Sequence, residues 1–424
     1  MDDNRSRAWF VGVDWASQSH HAVVVDATGR KLGERGFRHG GEGLAAMAAW
    51  ILALTEAEPD TVAVAIEAPH GPVVETLMAR GFRLHAINPK QLDRFRDRFS
   101  PAGAKDDSRD AQVLADALRT DPRCFRRLQP LDPRVVELRE CSRLLEDLRH
   151  DRNRLANRMR ELLWRYFPAM LELDDDVAAP WFLDLWERVP TPAKAARVRA
   201  TTVERLLRRH RIRRFDADHV LDRLRQPAVA TAAGTVDAAT THLQVVVERL
   251  RLVNRQIKDA EKRLDHLTEQ LATAATDTGN TATMQRDVTI LRSLPGVGRV
   301  VIATLLAEAS EALQRRDYHA LRCLCGVAPV TKRSGKSKIV LRRQAAHNRL
   351  ANAAYHWARV AVQRDPRSRQ KYAALRARGH GHARALRSVA DRLLAVACAM
   401  LAAGTPFDPA HPSKVIDDNS VTPC

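Results

Sequence analysis

Lys105-Asp106-Asp107-Ser108-Arg109-Asp110-Ala111 decides the predicted fold, because it places three carboxylates within five residues at the start of a helix. Asp107 and Asp110 are three residues apart on that helix, so their side chains point to the same side. Two earlier apolar runs, Val11-Gly12-Val13-Asp14-Trp15 and Val62-Ala63-Val64-Ala65-Ile66-Glu67, are typical of buried strands that end near an acid. We therefore expect these two strands and the helix to bring four carboxylates together.

Four carboxylates at one point repel one another unless a cation lies between them. Oxygen ligands of this kind suit Mg²⁺ or Mn²⁺, and a pair of such ions can clamp a phosphate for in-line displacement. The pattern therefore predicts a nuclease-type site at Asp14, Glu67, Asp107 and Asp110. Each acid also has a structural alternative: Asp14 as a turn residue at a strand end, Glu67 as a cap of the following helix, and Asp107 as an N-cap.

The first 125 residues predict an α/β domain that resembles a ribonuclease-H-like (RuvC-like) fold. Three strands of an antiparallel meander come first, at residues 8–14, 20–26 and 31–37, followed by a helix, the strand that ends in Glu67, a helix, a strand at 83–87 and two helices, at 89–98 and from about 106 to 118. This order is an analogy of fold only. An actin-like kinase fold also starts with a strand, an Asp and a hairpin, but the turn at 14–19 lacks the glycines that cradle phosphate.

Residues 130–275 predict long helices with a helical insertion at about 168–235. Leu138 to Tyr166 and Leu243 to Leu271 each carry apolar residues at heptad spacing, which is typical of coiled coils. Two alternatives stay open at this stage. The heptads either pack on each other as antiparallel helices within one chain or form an arm that joins two copies.

Residues 286–405 predict a mostly helical domain that binds nucleic acid. Leu294-Pro295-Gly296-Val297-Gly298-Arg299 precedes an apolar helix and matches a helix-hairpin-helix, in which Gly296 and Gly298 would let backbone amides meet a phosphate. A plain turn between packed helices has the same pattern. Further along, Ser334 lies in a basic loop, where it is either a turn residue of a phosphate-binding loop or a nucleophile activated by the surrounding positive charge.

The charge distribution separates the two ends of the chain. Residues 1–120 carry 15 basic and 17 acidic side chains, whereas residues 286–408 carry 23 basic and 7 acidic ones, in a chain of net charge +18. A basic domain of this kind indicates a polyanionic partner, with nucleic acid first. The predicted contacts, apart from the two glycines, are Lys332, Arg333, Lys336, Lys338, Arg342, Arg343, Asn348 and Arg349, the last four on the next helix. Residues 406–424 are expected to form a disordered tail.

Together these motifs resemble the DEDD transposases of the IS110 family, insertion-sequence recombinases guided by a bridge RNA. The likeness covers residues 8–405 and rests on Asp14, Glu67, the Lys-x-Asp-x-x-Asp-Ala pattern at 105–111, Leu-Pro-Gly-Val-Gly at 294–298, and Pro329 followed by Ser334-Gly335. The family has Thr where this chain has Asp106, so Asp106 is an alternative to Asp107 as the third acid. The Gly-Asn of the family before its final helix is His347-Asn348 here.

The resemblance implies a DNA transposase in which Asp14, Glu67, Asp107 and Asp110 hold two Mg²⁺ or Mn²⁺ ions. It likewise implies that Ser334 forms a phosphoserine link to DNA. The expected partners are DNA of the element ends and target, a bridge RNA, and further copies of the chain in a dimer or tetramer that build composite sites. The amino terminus has no signal-peptide pattern and no apolar run spans a membrane, so a cytoplasmic, nucleoid-associated bacterial protein is expected. A nuclease that hydrolyses with water and a non-enzymatic nucleic-acid scaffold are the alternatives.

Overall fold

A computed structural model describes residues 9–99, 107–273, 279–335 and 337–409 of the chain. The chain divides into two compact units, Met1–Leu131 and Asp132–Cys424, which we call the N-terminal and C-terminal units. The N-terminal unit is a mixed α/β layer structure, and the C-terminal unit is almost entirely helical.

The N-terminal unit contains a six-stranded sheet of order β3-β2-β1-β4-β5-β6. β1 pairs antiparallel with β2 and parallel with β4, and β4 pairs parallel with β5. This order confirms the predicted mixed sheet and is consistent with a ribonuclease-H-like domain. The sixth strand, a two-residue edge, was not predicted. The strands are β1 (Trp9–Trp15), β2 (Ser19–Asp26), β3 (Lys31–Arg38), β4 (Val62–Ile66), β5 (Arg83–Ala86) and β6 (Arg126–Arg127), and the helices are α1 (Gly41–Thr55), α2 (Pro72–Ala79), α3 (Pro89–Phe99) and α4 (Asp107–Thr120).

Both faces of this sheet are covered, which explains why its central strands are continuous apolar runs. On one face Val11 and Val13 pack with α1 residues such as Met47 and Ile51. On the other face Phe10, Ala63 and Ala65 pack against α4. Alternate residues of a strand point to opposite faces, so the even-numbered residues of β1 and the odd-numbered residues of β4 face α4. This parity decides where the acids at the strand ends point.

In the C-terminal unit two long helices, α5 (Pro133–Tyr166) and α10 (Thr235–Thr273), pack side by side in opposite directions. Arg263 near the end of α10 pairs with Glu137 near the start of α5, and Arg149 Nη2 lies 2.8 Å from Glu261 Oε1. Heptad residues of both helices, among them Leu138, Leu145, Leu243, Leu250 and Leu264, are buried in this chain. Of the two alternatives for the heptads, the structure has the antiparallel pair within one chain.

The helices between α5 and α10 cover one half of this pair. They are α6 (Pro180–Arg188), α7 (Pro192–Arg197), α8 (Ala200–Arg209) and α9 (Ala217–Leu224), and they form one core with Met159 and Leu250. They correspond to the predicted helical insertion. Arg152, which interrupts the first heptad, donates from Nε to Asn254 at 2.9 Å and from Nη2 to Asp176 at 2.6 Å. A polar side chain in the seam is thus held by partners instead of being buried unpaired.

The remaining elements pack on the other half of the pair. Leu138 and Leu264 share one hydrophobic core with residues of the later helices, such as Trp357 and Leu394, so the predicted boundary near residue 280 does not separate two cores. The elements are α11 (Gly279–Ser293), α12 (Arg299–Glu308), α13 (Ser310–Gln314), α14 (Tyr318–Leu324), β7 (Val330–Ser334), β8 (Ser337–Leu341), α15 (Asn348–Arg364), α16 (Pro366–Ala377) and α17 (His382–Ala403).

The start of the predicted tail is ordered against this core. Phe407 N donates to Ser293 Oγ at 2.7 Å, and Phe407 packs against the hydrophobic cluster. Arg367 Nη2 donates to the Pro409 carbonyl at 3.0 Å. Residues 406–409 are therefore not a disordered tail, and the rest of that predicted segment lies outside the described residues.

Candidate active site and nucleic-acid interface

Asp14 and Glu67 lie next to each other at the ends of two neighbouring parallel strands. Val13 of β1 pairs with Ile66 of β4, so the next residue on each strand is one of the two acids. Adjacent strands are about 4.8 Å apart, and residues in register point to the same face. By the parity of the strands that face is the one covered by α4. Asp14 and Glu67 therefore both face α4, the helix that carries Asp107 and Asp110.

Gly12 is the residue that lets α4 lie close to the strand end. A Cβ atom on Gly12 would be 1.8 Å from the Ala111 carbonyl oxygen and 2.7 Å from Ala115 N, so only glycine fits. This contact holds the first turn of α4 beside the end of β1. Asp110 is buried there, with 4% of its surface exposed, whereas Asp107 is exposed at the first position of the helix. The alternative acid Asp106 lies outside the described residues.

Arg96 of α3 supplies a positive charge to the acids. Its Nε donates to Asp110 Oδ1 at 2.7 Å and its Nη2 to Asp110 Oδ2 at 2.9 Å, a bidentate pair. Nη1 donates to Asp93 Oδ1 at 2.6 Å, and Nη2 is 3.7 Å from Glu67 Oε2. The guanidinium thus joins Asp110 and Glu67, where the prediction placed a metal ion.

The acids still carry more negative charge than Arg96 compensates. Burial is the largest cause that raises the pKa of Asp14, to about 6. The carboxylates of Asp110, Asp107 and Glu67 raise it further, in that order, and the Arg96 charge opposes them. The three other predicted acids therefore all act electrostatically on Asp14.

The donor chemistry of this acid cluster (Asp14, Glu67, Asp107 and Asp110) fits a divalent cation, since all four side chains offer carboxylate oxygens and the one charge of Arg96 does not balance them. Within residues 9–99, 107–273, 279–335 and 337–409, no three His, Cys, Asp or Glu side chains are placed as metal ligands. The Arg96 guanidinium contacts both oxygens of Asp110 in this structure.

Ser334 lies at the tip of a β-hairpin, where the sequence predicted a loop. β7 and β8 pair antiparallel, and Ser334 is opposite Ser337 in the last pair of the register. Gly335 in the turn has φ +53°, the left-handed region that favours glycine. The sequence predicted a loop because neither strand of the hairpin buries a face, so no alternation of apolar and polar residues marks it. Ser334 is exposed, as an attacking hydroxyl must be.

Three of the four predicted cations around Ser334 project from this hairpin into solvent. Lys332, Arg333 and Lys338 are exposed, and Lys336 lies outside the described residues. Arg342 and Arg343 do not belong to the next helix as predicted, because they precede it in the connection from β8 to α15. Arg343 Nε donates to the Ala328 carbonyl at 3.4 Å.

The last two predicted contacts begin α15 and differ from each other. Asn348, the first residue of that helix, is exposed. Arg349 is half-buried, and its Nη1 lies 2.6 Å from Glu146 Oε2 on α5. This ion pair between helices gives Arg349 a structural partner of its own, so its predicted role at a phosphate stays a prediction.

The predicted helix-hairpin-helix is a turn between α11 and α12, and its two glycines have different surroundings. A Cβ on Gly296 (φ +73°) would lie 2.6 Å from Ala361 N, so this glycine packs against α15. The turn is fixed there, because Trp357 Nε1 donates to the Pro295 carbonyl at 3.0 Å. Gly298 has no atom within 4 Å of its Cβ position and precedes the first turn of α12. Of the two, only Gly298 has the open surroundings that a phosphate contact needs.

The sequence analysis missed Arg96 and a group of arginines on α17. Arg94, Arg96 and Arg98 occupy every second position of α3, so the sequence gives no reason to select the middle one. Arg384 and Arg387 are three residues apart on α17, a spacing that places two cations on one helix face. That spacing was the available signal.

Across the described residues, no helix combines the length and apolar character needed to span a bilayer.

Comparisons with known proteins agree with this arrangement. A family model described as a transposase, for DEDD transposases of IS110, matches residues 11–168, and a model of the IS116/IS110/IS902 transposase family matches residues 288–373. The first match contains all four acids, and the second contains Ser334 and the hairpin.

Relatives extend the likeness over the whole chain. A candidate transposase of Sinorhizobium fredii, y4uE, is 68% identical over 50% of this chain and 59% of its own length. The candidate transposase of the IS117 mini-circle of Streptomyces coelicolor is 32% identical over 91% of this chain and 92% of its own. The uncharacterized 44.8 kDa protein of insertion element IS116 from Streptomyces clavuligerus is 30% identical over 97% of this chain and 99% of its own. The chain therefore belongs to the IS116/IS110/IS902 family of transposases, as the sequence resemblance indicated.

Proposed function

We propose that this transposase cuts and rejoins DNA at insertion-element ends and targets, with the acid cluster as its metal site and Ser334 as its nucleophile. The observation that carries the proposal is the convergence of Asp110, Asp107 and Glu67 on Asp14, whose pKa they raise. Three separate elements and a glycine that tolerates no side chain are needed to create this concentration of like charge. A scaffold protein gains nothing from it, because it costs stability.

The acid cluster has the chemistry of a divalent-metal site, and the DEDD transposase family to which the chain belongs suggests dependence on a divalent metal. Asp14, Glu67, Asp110 and Asp107 would hold Mg²⁺ or Mn²⁺, two ions in the proposal. Bound there, the metal would polarise the scissile phosphate and stabilise charge on the attacking and leaving oxygens. Arg96 must release Asp110 for that carboxylate to become a ligand, and the adjacent Asp93 can keep the guanidinium when it does.

In the proposed reaction Ser334 attacks the phosphorus of a scissile phosphodiester. An ester bond forms between Oγ and phosphorus as the bond to one deoxyribose oxygen breaks. The proton lost by the serine hydroxyl balances the one gained by the departing hydroxyl. Attack of a deoxyribose hydroxyl on the phosphoserine reverses these steps and reseals DNA without an external energy source. The exposed position of Ser334 at a hairpin tip and the cations beside it support this role.

The proposal includes a guide RNA and an assembly of several copies. The RNA would pair with donor and target DNA, and the protein would recognise backbone shape. The 23 basic and 7 acidic side chains of residues 286–408 support a nucleic-acid partner and do not distinguish RNA from DNA. A dimer or tetramer is the proposed state, and the ribonuclease-H-like character of the N-terminal unit is part of the same proposal.

A hydrolytic nuclease is the second candidate, favoured by one observation. No side-chain hydrogen bond joins Ser334 to any other described residue, so none of those residues is in place as a base that takes its proton. In that mechanism water attacks at the acid cluster and Ser334 only contacts phosphate.

The test is a denaturing-gel assay for a covalent protein–DNA adduct. Purified protein is mixed with Mg²⁺, element-junction DNA and RNA transcribed from the flanks of the element. We expect an adduct with wild type and with Ser337→Ala, the serine opposite Ser334 on the same hairpin. Ser334→Ala and Asp110→Ala should give none. Nicking without adduct that survives Ser334→Ala would identify the hydrolytic nuclease instead.

A further inference from the structure

A cavity of about 700 Å³ in the C-terminal unit lies at the base of the hairpin that carries Ser334. Its walls come from the end of β8 and the connection that follows, from the loop after α14, from the second half of α16 and from one face of α17. On α17 the lining residues follow helical spacing, with Arg384, Arg387, Asp391 and Ala395 along one stripe. One wall of the cavity is therefore a face of a regular helix whose other residues are buried in the core.

The lining is strongly cationic. Seven arginines and one lysine face the cavity, with Asp391 as its one carboxylate among the described residues. Asp391 is already fully engaged: Arg322 donates to both of its oxygens, at 3.0 and 2.6 Å, and Tyr318 Oη donates to it at 2.9 Å. The remaining arginines therefore have no anion left within the cavity wall.

Three of them, Arg342, Arg384 and Arg387, form what we call the arginine trio. No carboxylate of the described residues forms an ion pair with any of the three, and the charges of Arg342 and Arg384, after burial, lower the pKa of Arg387. Side chains of like charge that face one another without a counter-ion cost stability. Such an arrangement is stabilised when an anion enters between them.

The chemistry of the lining indicates which anion. Guanidinium groups match phosphate oxygens bidentately and stay charged at all physiological pH values. Apolar residues such as Val340, Leu341 and Leu375 form another part of the wall, which suits the sugar of a nucleotide better than a bare inorganic ion. The volume is in the range of sites for small ligands, so it admits a segment of one strand and not a duplex.

We propose that this cavity binds the phosphodiester backbone of a single nucleic-acid strand, with the arginine trio as its phosphate contacts. The register of β7 and β8 places the hairpin base, where Val330 pairs with Leu341, four residues from Ser334, about 13 Å of extended strand. The cavity thus holds a strand within reach of the serine tip. This inference rests on the proposed function only for the identity of the strand as element DNA or guide RNA.

The test measures binding without metal, so that cleavage plays no part. Fluorescence anisotropy in EDTA follows binding of a labelled 20-nucleotide DNA strand and an RNA strand of the same sequence to full-length protein at several salt concentrations. Arg384→Ala/Arg387→Ala should weaken binding of at least one strand about tenfold and reduce the salt slope of log Kd by about 1.4, which corresponds to two lost phosphate contacts. The DNA and RNA arms tell which strand the cavity takes.

A matched control removes the same charge elsewhere. Arg249 and Arg255 are exposed on α10, away from the cavity, and Arg249→Ala/Arg255→Ala should leave the salt slope unchanged. Arg342→Ala/Arg378→Ala changes two exposed lining residues and should repeat the loss if the α17 variant does not fold. Equal affinity and slope for the cavity variants and the control would overturn the proposal. So would tight binding of pyrophosphate at the cavity with no contribution of the trio to strand binding, which would identify a site for small phosphates.

These outcomes are separate from those of the adduct assay. Loss of strand binding in the cavity variants, combined with nicking that ignores Ser334, would keep the cavity and reject the nucleophile. A serine adduct that forms normally while the cavity variants bind strands like wild type would keep the nucleophile and reject the cavity.

Discussion

Two buried pairs of arginine and carboxylate in this protein have nearly the same local geometry and opposite surroundings. Arg96 binds Asp110 bidentately in the N-terminal unit, and Arg143 binds Glu308 bidentately in the C-terminal unit at 2.9 and 3.2 Å. Both carboxylates are 5% exposed, and the two arginines are 24% and 28% exposed. The geometry of the pair alone therefore does not say what it does.

The neighbouring charges differ in sign. Around Asp110 the further groups are acids, and burial together with these acids raises the pKa of Asp14 to about 6. Around Glu308 the further groups are Arg139, at 3.9 Å, and His347, at 3.6 Å, which becomes a cation when it is protonated. Burial opposes ionisation of Glu308, but Arg143 and these cations hold its pKa below the usual range. The first pair needs additional positive charge, as a metal site does, and the second is a complete structural link between α5 and α12.

The largest effect we predict is on strand cleavage, and it distinguishes the Arg96–Asp110 pair from the structural Arg143–Glu308 pair. Asp110→Asn keeps the shape of the side chain but removes one charge from the acid cluster, so strand cleavage should fall about 10³-fold or more. The free energy of unfolding should change little, because the change also relieves repulsion with Asp14. Cleavage rates and urea unfolding are measured on the same preparations. Asp116→Asn, which changes another buried acid of α4 that pairs with Arg119, is the control and should keep nearly the full rate.

Gly12→Val should cost about 3 kcal/mol of stability, because it places a side chain where the Ala111 backbone already lies. If α4 shifts to make room, the acids at its start move away from the strand ends as well. Gly36→Ala on β3 is the matched control, since nothing lies within 4 Å of its Cβ position. Urea unfolding of both variants compares them. A Gly12→Val protein as stable as the Gly36→Ala one would show that the close approach of β1 and α4 is not required.

The pH dependence of the protein's stability tests the structural role of the Arg143–Glu308 pair. Its native pKa is lowered from 4.5, so the stability it contributes is fully present above pH 4.5 and is lost as the pH falls through the native pKa. Glu308→Gln should cost about 2 kcal/mol at pH 7, the value of hydrogen bonds to a charged group. The difference from wild type should shrink steadily below pH 4.5. Thermal unfolding between pH 7 and pH 3 measures it, and a difference that does not change with pH would rule out ionisation as its source.

The N-terminal unit was predictable from the sequence because its signals are local. Apolar runs gave the strands, and the acids at their ends and on α4 needed only the sheet order to meet. The C-terminal unit was predicted less well, because its decisive contacts join residues far apart in the chain. Arg139 and Arg143 meet Glu308 only after the long helices have packed.

Two other features were hard to predict for the same kind of reason. The β7–β8 hairpin has no alternation of apolar and polar residues to reveal it, since neither of its strands buries a face. Gly296 matched a phosphate-binding motif, yet its conformation is used to pack against α15. In both cases the same sequence is compatible with two local structures, and only the packing of the folded chain decides which of them forms.

The smallest effect we predict tests whether Arg96 stands in for a cation. Arg96→Gln removes the charge that contacts both Asp110 and Glu67, so the acids become more repulsive and their affinity for Mn²⁺ should rise about tenfold. Calorimetric titration of metal into the purified protein measures this without any cleavage assay. Arg98→Gln, in which the exposed partner of Asp121 is changed, should bind Mn²⁺ like wild type. A lower affinity in Arg96→Gln would mean that the arginine orients the carboxylates for the metal instead of competing with it, and the contrast with Arg143 would then lie in orientation and not in charge.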